Sequence, residues 1–352
     1  MIRSRNYIAV PPGATIKEQL DDRGMSQKEF AARMGMSEKH ISHLINGDVQ
    51  LTPETAYRLE TVLGLPARFW NRLEALYREE IIKAEKENAM DADKELVKKF
   101  PYNEMAKLGW LRPTQKTEEK VNFLRQFFEV VSLDKLENEA LLPQIACRRL
   151  SVTEKTDFAL LAWAQKAKLE ARNKNVSPID LKELKKHLSQ IRAMTSKDPQ
   201  IFCDELQTLF AECGIALIFL PHISGSFLNG ATFYDNNKIV MGLTVRGKSA
   251  DIFWFSLFHE LGHILLGHLN HKDGISSVNE KEADAFAAEW LIPSNVLLKF
   301  TNRKIFSRDA IRKFSEDIGI DAGIVVGRLQ RDGFIQFGWY NDLKTRYEYK
   351  AN

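Results

Sequence analysis

Apolar side chains recur every three or four positions over most of this chain, the period of amphipathic helices. Near the start the helices are short and tightly punctuated. Residues 15–24 read as one helix closed by Gly24. Ser26 caps a second over 27–34, and Gly35 makes a tight turn. Ser37 caps a third over 38–46, Gly47 ends it, and Thr52-Pro53 opens a fourth that runs to about Gly64. Two short capped helices joined by a glycine turn, within a bundle of five, describe a helix-turn-helix unit. Residues 66–98 continue as a helix whose apolar face fades into a charged run from Lys83 to Glu95, a solvated connector by composition. Helical periods return over 120–131, 158–171, 179–194 and 199–214. The period then changes. Residues 215–220 form an unbroken apolar run suited to a buried strand, and 231–234 and 238–244 flank a hairpin turn at Asp235-Asn236-Asn237. Helical patterns follow at 252–266, 277–292, 295–300, 307–319 and 322–330, with a short strand expected over 334–339. The pattern predicts an α+β chain that is mostly α. Its expected parts are a five-helix unit at 1–80, a helical linker at 81–98, a helical scaffold at 99–200, and a C-terminal domain at 201–352 with a small antiparallel sheet.

Candidate chemistry sits on the most apolar helix, in Phe258-His259-Glu260-Leu261-Gly262-His263. Residues four apart share a helix face, so His259 and His263 can grip one divalent ion. In this HExxH arrangement Glu260 is the proton acceptor for a water at the ion. Two histidines need a third donor. The helix over 277–292 offers Glu280 and Asp284, one turn apart on a shared face. Glu280 is assigned as the third ligand and Asp284 as the group orienting His259 or His263. Two alternatives stand beside this. Ser277-x-x-Glu280 also reads as a capping box that turns Glu280 back to the helix start, and Glu282 is a substitute ligand. His268, His271 and Tyr234 are candidates for contact with a substrate oxyanion. Two nitrogens and one carboxylate favour Zn2+, one per chain, over Mn2+ or Fe2+.

The helix over 38–46 is placed to enter a major groove, with Glu38, Lys39, His40, Ser42 and His43 toward base edges or phosphates. Gln27, Lys28 and Ser37 lie near helix N-termini that suit phosphates. Residues 1–80 hold about eleven basic and about eleven acidic side chains, so no net basic field supports DNA binding there. Affinity then has to come from a homodimer or from local placement of the cations. A helical module for protein contacts is the bland alternative.

Two stretches carry resemblances. Residues 25–47 with Leu51-Thr-Pro-Glu-Thr-Ala56 and Phe69-Trp70 resemble the Cro/CI (XRE) type of helix-turn-helix regulator, and within it the HigA-type antitoxins. Phe258-His-Glu-Leu-Gly-His263, Glu280-x-x-Ala-Asp284 and Leu291-Ile-Pro293 resemble the ImmA/IrrE family of bacterial zinc metallopeptidases, over roughly residues 200–340. That resemblance implies a zincin-like domain that cleaves helix-turn-helix repressors.

Composition narrows the setting. The chain has 352 residues, 44% hydrophobic and 28% charged, with a net charge of +3, the balance of a soluble globular protein of two or more domains. Cys147, Cys203 and Cys213 are odd in number and form no CxxC pair, which suggests a reducing cytoplasm. The N-terminus lacks the apolar core of a signal peptide, and residues 252–269 contain ionisable groups that rule out a membrane span. Three function classes follow. One is a DNA-binding regulator with a metallopeptidase that cuts a repressor, an antitoxin or itself. Another is an antitoxin-like autorepressor whose metal domain binds a toxin or senses a signal. The last is a binding scaffold.

Overall fold

The computed structural model describes residues 2–137, 154–226, 229–244, 249–270 and 276–348. The chain divides into two compact units, Met1–Glu95 and Leu96–Asn352. Among the described residues no helix is long and apolar enough to cross a membrane.

The first unit opens with a small antiparallel pair, β1 (Ile2–Arg3) and β2 (Ile8–Ala9). Five helices follow: α1 (Pro12–Asp22), α2 (Gln27–Met34), α3 (Glu38–Asn46), α4 (Pro53–Leu63) and α5 (Ala67–Val97). The caps read from sequence are formed. Ser26 Oγ accepts from Glu29 N, Ser37 Oγ from His40 N and Thr52 Oγ1 from Thr55 N, each at 3.2 Å. Gly35 and Gly47 close α2 and α3 in the left-handed region, where a side chain would be strained. Arg58 donates to Met34 O at 3.0 Å and so pins the turn between α2 and α3 from α4. Ile16, Phe30, Ile41, Leu59 and Trp70 fill the core. Gly13 lets α1 cross α3 closely, since a Cβ there would sit 2.0 Å from Ile45 O. The segment before α1 is tied to α5: Asn6 N donates to Glu87 at 2.9 Å, and Ser4 Oγ donates to the same carboxylate.

The second unit contains α6 (Tyr102–Lys107), α7 (Thr117–Phe128), α8 (Glu154–Arg172), α9 (Leu181–Ala193) and α10 (Pro199–Glu212). Three strands come next, β3 (Ile215–Leu220), β4 (Gly230–Asp235) and β5 (Lys238–Thr244). The chain closes with α11 (Ala250–Leu265), α12 (Ser277–Leu291), α13 (Ser294–Thr301), α14 (Arg308–Ile318) and α15 (Ala322–Arg331). The sheet corrects the expected topology. It is mixed, in the order β3-β5-β4: β5 lies in the middle, antiparallel to β4 across the hairpin and parallel to β3. A hairpin signal predicts only its own two strands. β3 is covered by α8 and α10, and β4 and β5 pack on α11, an enclosure that suits an all-apolar strand. On one face Trp163 of α8 lies against Gly242, where a Cβ would meet its ring at 2.5 Å. The opposite face packs on α11 through Met241 and Leu243.

The expected scaffold at 99–200 is no separate layer. Leu184, Leu188, Ile191 and Phe202 of α9 and α10 share one core with Trp254 and Phe258 of α11. Arg192 of α9 donates to Trp290 O at 3.0 Å, Leu291 O at 3.1 Å and Ile318 O at 2.8 Å, tying down the ends of α12 and α14. Residues 334–339 are not a strand. The tail contributes an isolated bridge between Ser249 and Arg346, and Phe337 stays 75% exposed because no neighbouring strand covers it.

Candidate metal centre and candidate DNA-reading helix

α11 is buried on nearly all sides, as its apolar flanks require, and α12 approaches it closely. Small residues make that possible. A Cβ on Gly262 would lie 3.0 Å from Ala283 Cα. The close approach brings His259 and His263 of α11 together with Glu280 of α12, with one ligand atom of each within 4.8 Å of the others. The two Nε2 atoms are 3.0 Å apart, and Glu280 carboxylate oxygens lie 3.5 Å from His259 Nε2 and 3.6 Å from His263 Nε2. Donors about 2.0–2.1 Å from a tetrahedral ion sit about 3.3 Å from one another, so this donor set fits zinc.

The far sides of the rings fix which nitrogen faces the centre. His259 Nδ1 is 2.8 Å from Asp284 Oδ1. A carboxylate only accepts, so Nδ1 carries a proton, and Nε2 is the nitrogen that faces Glu280 and His263 and would bind an ion on giving up its own proton. His263 Nδ1 lies 3.0 Å from His268 Nδ1, and His268 Nε2 lies 3.1 Å from Glu282 Oε2. Of the two histidines, it is His259 that has Asp284 behind it. The capping alternative for Glu280 does not form. The box is built one residue earlier, by Ser276 and Asn279, which leaves Glu280 turned to the histidines.

Glu260 is 4% exposed and accepts from Thr232 Oγ1 of β4 at 2.5 Å. Burial pushes its carboxyl up to about 7, against the pull of His259 and the Thr232 hydrogen bond. Burial and the neighbouring His259 push the His263 ring down to about 4. Burial also disfavours charge on His259, but hydrogen bonds to Asp284 and Glu280 override it and raise the ring to about 10. The two rings are pushed apart because two cations cannot share so small a space.

In the first unit α3 buries Ile41, Leu44 and Ile45 and exposes Glu38, Lys39, His40 and Ser42. His43 is half-buried, with Nδ1 3.0 Å from Asp48 Oδ2. Gln27, Lys28 and Ser37 are exposed near the starts of α2 and α3.

Comparison with known proteins gives both units a relation. The helix-turn-helix family matches residues 16–70, and the IrrE N-terminal-like domain family matches residues 224–329. An uncharacterized HTH-type transcriptional regulator of Escherichia coli strain K12, YddM, is 38% identical over 63 residues, which is 18% of this chain and 67% of that protein. The chain belongs to the XRE-type helix-turn-helix regulators and carries an IrrE-like peptidase-family domain.

Other expected site residues of the IrrE-like domain are scattered. Tyr234 lies two positions beyond Thr232, on the same face of β4, and is 40% exposed. His268 is buried behind His263, with a partner at each ring nitrogen. His271 lies outside the described residues. Thr232 and Gly230 were missed. Gly230 has no room for a side chain because Glu260 Cγ and Oε1 lie 2.9 Å from where its Cβ would be. The only sequence signal for either is the glycine that opens the strand. Among the described residues, α11, α12 and α15 line a half-open cavity of about 460 Å³ with Ile252, Phe255, Leu291 and Ile324 in its walls. The Arg331 guanidinium stacks over the Phe255 ring at 4.0 Å, one helical turn from His259.

Proposed function

We propose that this protein is a cytoplasmic DNA-binding regulator whose IrrE-like domain is a zinc-dependent endopeptidase acting on a regulatory protein: a repressor, an antitoxin or itself. The observation that carries the reading is the convergence of His259, His263 and Glu280 beside the buried carboxyl of Glu260. His259, His263 and Glu280 would hold the ion, which leaves a fourth coordination position to water or substrate. Bound there, zinc would lower the pKa of a water and polarise a peptide carbonyl. Glu260, with a carboxyl near neutrality, is suited to take a proton from the attacking water and pass it to the leaving amine. Thr232 holds one Glu260 oxygen and leaves the other free for that transfer. Tyr234 is the remaining candidate for the oxyanion among the described residues.

The neighbouring surfaces suit an extended peptide. β4 is an edge strand, so its open side can pair with a substrate backbone. Asn229, just before β4, also lines the cavity, whose apolar walls would take a large side chain next to the scissile bond. For the first unit, α3 would read operator DNA as one half of a homodimer on two half-sites. The buried general base favours the peptidase over an antitoxin that only binds a toxin, since binding needs no such group.

The test is to incubate the full-length protein with cell extract, with zinc present or chelated, and map new peptide ends. The expected result is ends that need zinc and vanish in Glu260→Gln. Ends that persist in that variant would overturn the peptidase.

A further inference from the structure

His268 is a buried, chemistry-bearing side chain with no part in the mechanism above. It is 3% exposed, on a single turn of 3₁₀ helix (His268–Asn270) just after α11. We propose that His268 and Glu282 form a positioning relay that holds His263 as a metal ligand, a role resting on the metal-centre reading given above.

The argument is one of donors and acceptors. The Glu282 carboxylate only accepts, so His268 Nε2, 3.1 Å away, donates to it. A neutral imidazole that donates at Nε2 must accept at Nδ1. His263 Nδ1, 3.0 Å from His268 Nδ1, is then the donor, and His263 Nε2 is left as a lone pair facing Glu280 and His259. The reverse arrangement would protonate His263 Nε2 and remove it from the ligand set. Glu282 therefore sets the tautomer of His263 at one remove.

This also accounts for Glu282 itself. Two positions from Glu280 and from Asp284, it leaves α12 on another side, so it reaches His268 and not the ion. Its side chain is 55% exposed, whereas the ring it holds is buried. The two metal histidines are thus steadied differently: His259 by an acid directly, His263 by a buried ring that an outer acid orients. Groups behind metal ligands change affinity by about 10–100-fold when removed.

The test uses full-length protein with histidines labelled in nitrogen, titrated with zinc against a chelating indicator. His268→Leu should weaken zinc binding by about 10–100-fold and remove the hydrogen-bonded Nδ1–H signal of His263. His268→Asn, whose Oδ1 can accept from His263, should recover most of the affinity. Glu282→Ala, at an exposed position that does not threaten folding, should lose less, below about tenfold, and change the His263 signal in the same direction. Wild-type affinity and an unchanged His263 signal in Glu282→Ala and in any folded His268→Leu protein would overturn the relay. So would an Asn variant no better than the Leu variant. Because no readout here is proteolysis, the relay can stand even if the peptidase fails. Wild-type protein that takes up no zinc would instead remove the metal centre and the relay together.

Discussion

α3 and α11 each carry two histidines within one turn, and each has a histidine beside an aspartate. In α3, His43 Nδ1 is 3.0 Å from Asp48; in α11, His259 Nδ1 is 2.8 Å from Asp284. The chemistry available is nevertheless unlike. His40 stands in solvent and His43 at its margin, on a helix whose buried side is purely aliphatic. His259 and His263 are enclosed, and a second helix delivers Glu280 between them. Histidine spacing is therefore not what makes a metal centre. Removal from water makes bare lone pairs costly unless something charged compensates them, and a separate helix supplies the third donor.

The largest test of that contrast is at Glu260. Glu260→Gln should leave zinc content near wild type and reduce zinc-dependent cleavage by about 10²–10⁴-fold, read from the appearance of new peptide ends. Next is the third donor. Glu280→Ala should cost more than about 100-fold in zinc affinity, above the range for groups behind the ligands, in competition with a chelating indicator. Asp284→Ala should fall within that range, about 10–100-fold. Equal losses at the two positions would erase the distinction between ligand and orienting group.

A pH experiment isolates Glu260. Its folded carboxyl is raised from 4.5 to about 7, so between those values the folded state binds more protons than the unfolded one. Its contribution to stability therefore declines as pH rises from about 4.5 to 7. His263, lowered to about 4, works in the opposite sense between about 4 and 6.5, and His259, raised to about 10, adds a decline above 6.5, so the wild-type curve alone mixes the three. In chelated protein the stability of Glu260→Gln relative to wild type should grow by up to about 3 kcal/mol across pH 4.5 to 7, measured by denaturant unfolding. A constant difference would mean that burial does not perturb this carboxyl.

On the α3 side the effects are smaller. Replacing Lys39 and Ser42 together by Ala should weaken operator binding by about 1–3 kcal/mol with metal content unchanged, measured by fluorescence anisotropy at fixed salt. Asp48→Ala, which removes an exposed partner of His43, should change folding stability by less than about 1 kcal/mol. A large loss there would bring His43 closer to the behaviour of His259.

Much of this was legible in the residues. The limits of α2, α3 and α4 follow from Ser26, Ser37, Thr52 and the glycines after each helix, because caps act within a few residues. The two turns of α11 that carry His259 and His263 were legible for the same reason of local period. Less local features were not. The parallel partner of β3, the role of Arg192 at the ends of α12 and α14, and the Thr232 hydrogen bond to Glu260 join residues far apart in the chain, where no spacing rule reaches.

The sequence by itself determined most of the helices, the caps at Ser26, Ser37 and Thr52, the pairing of His259 with His263 on one face and the acids on the following helix. Those depend on backbone period and on side chains a turn apart. Only the tertiary structure decided that Glu280 meets the histidines while Glu282 turns to His268, and that Glu260 is buried against Gly230 and Thr232. The reason is physical. Which of several acids becomes a ligand is set by how closely α11 and α12 pack at Gly262 and Ala283, and that closeness belongs to the assembled core.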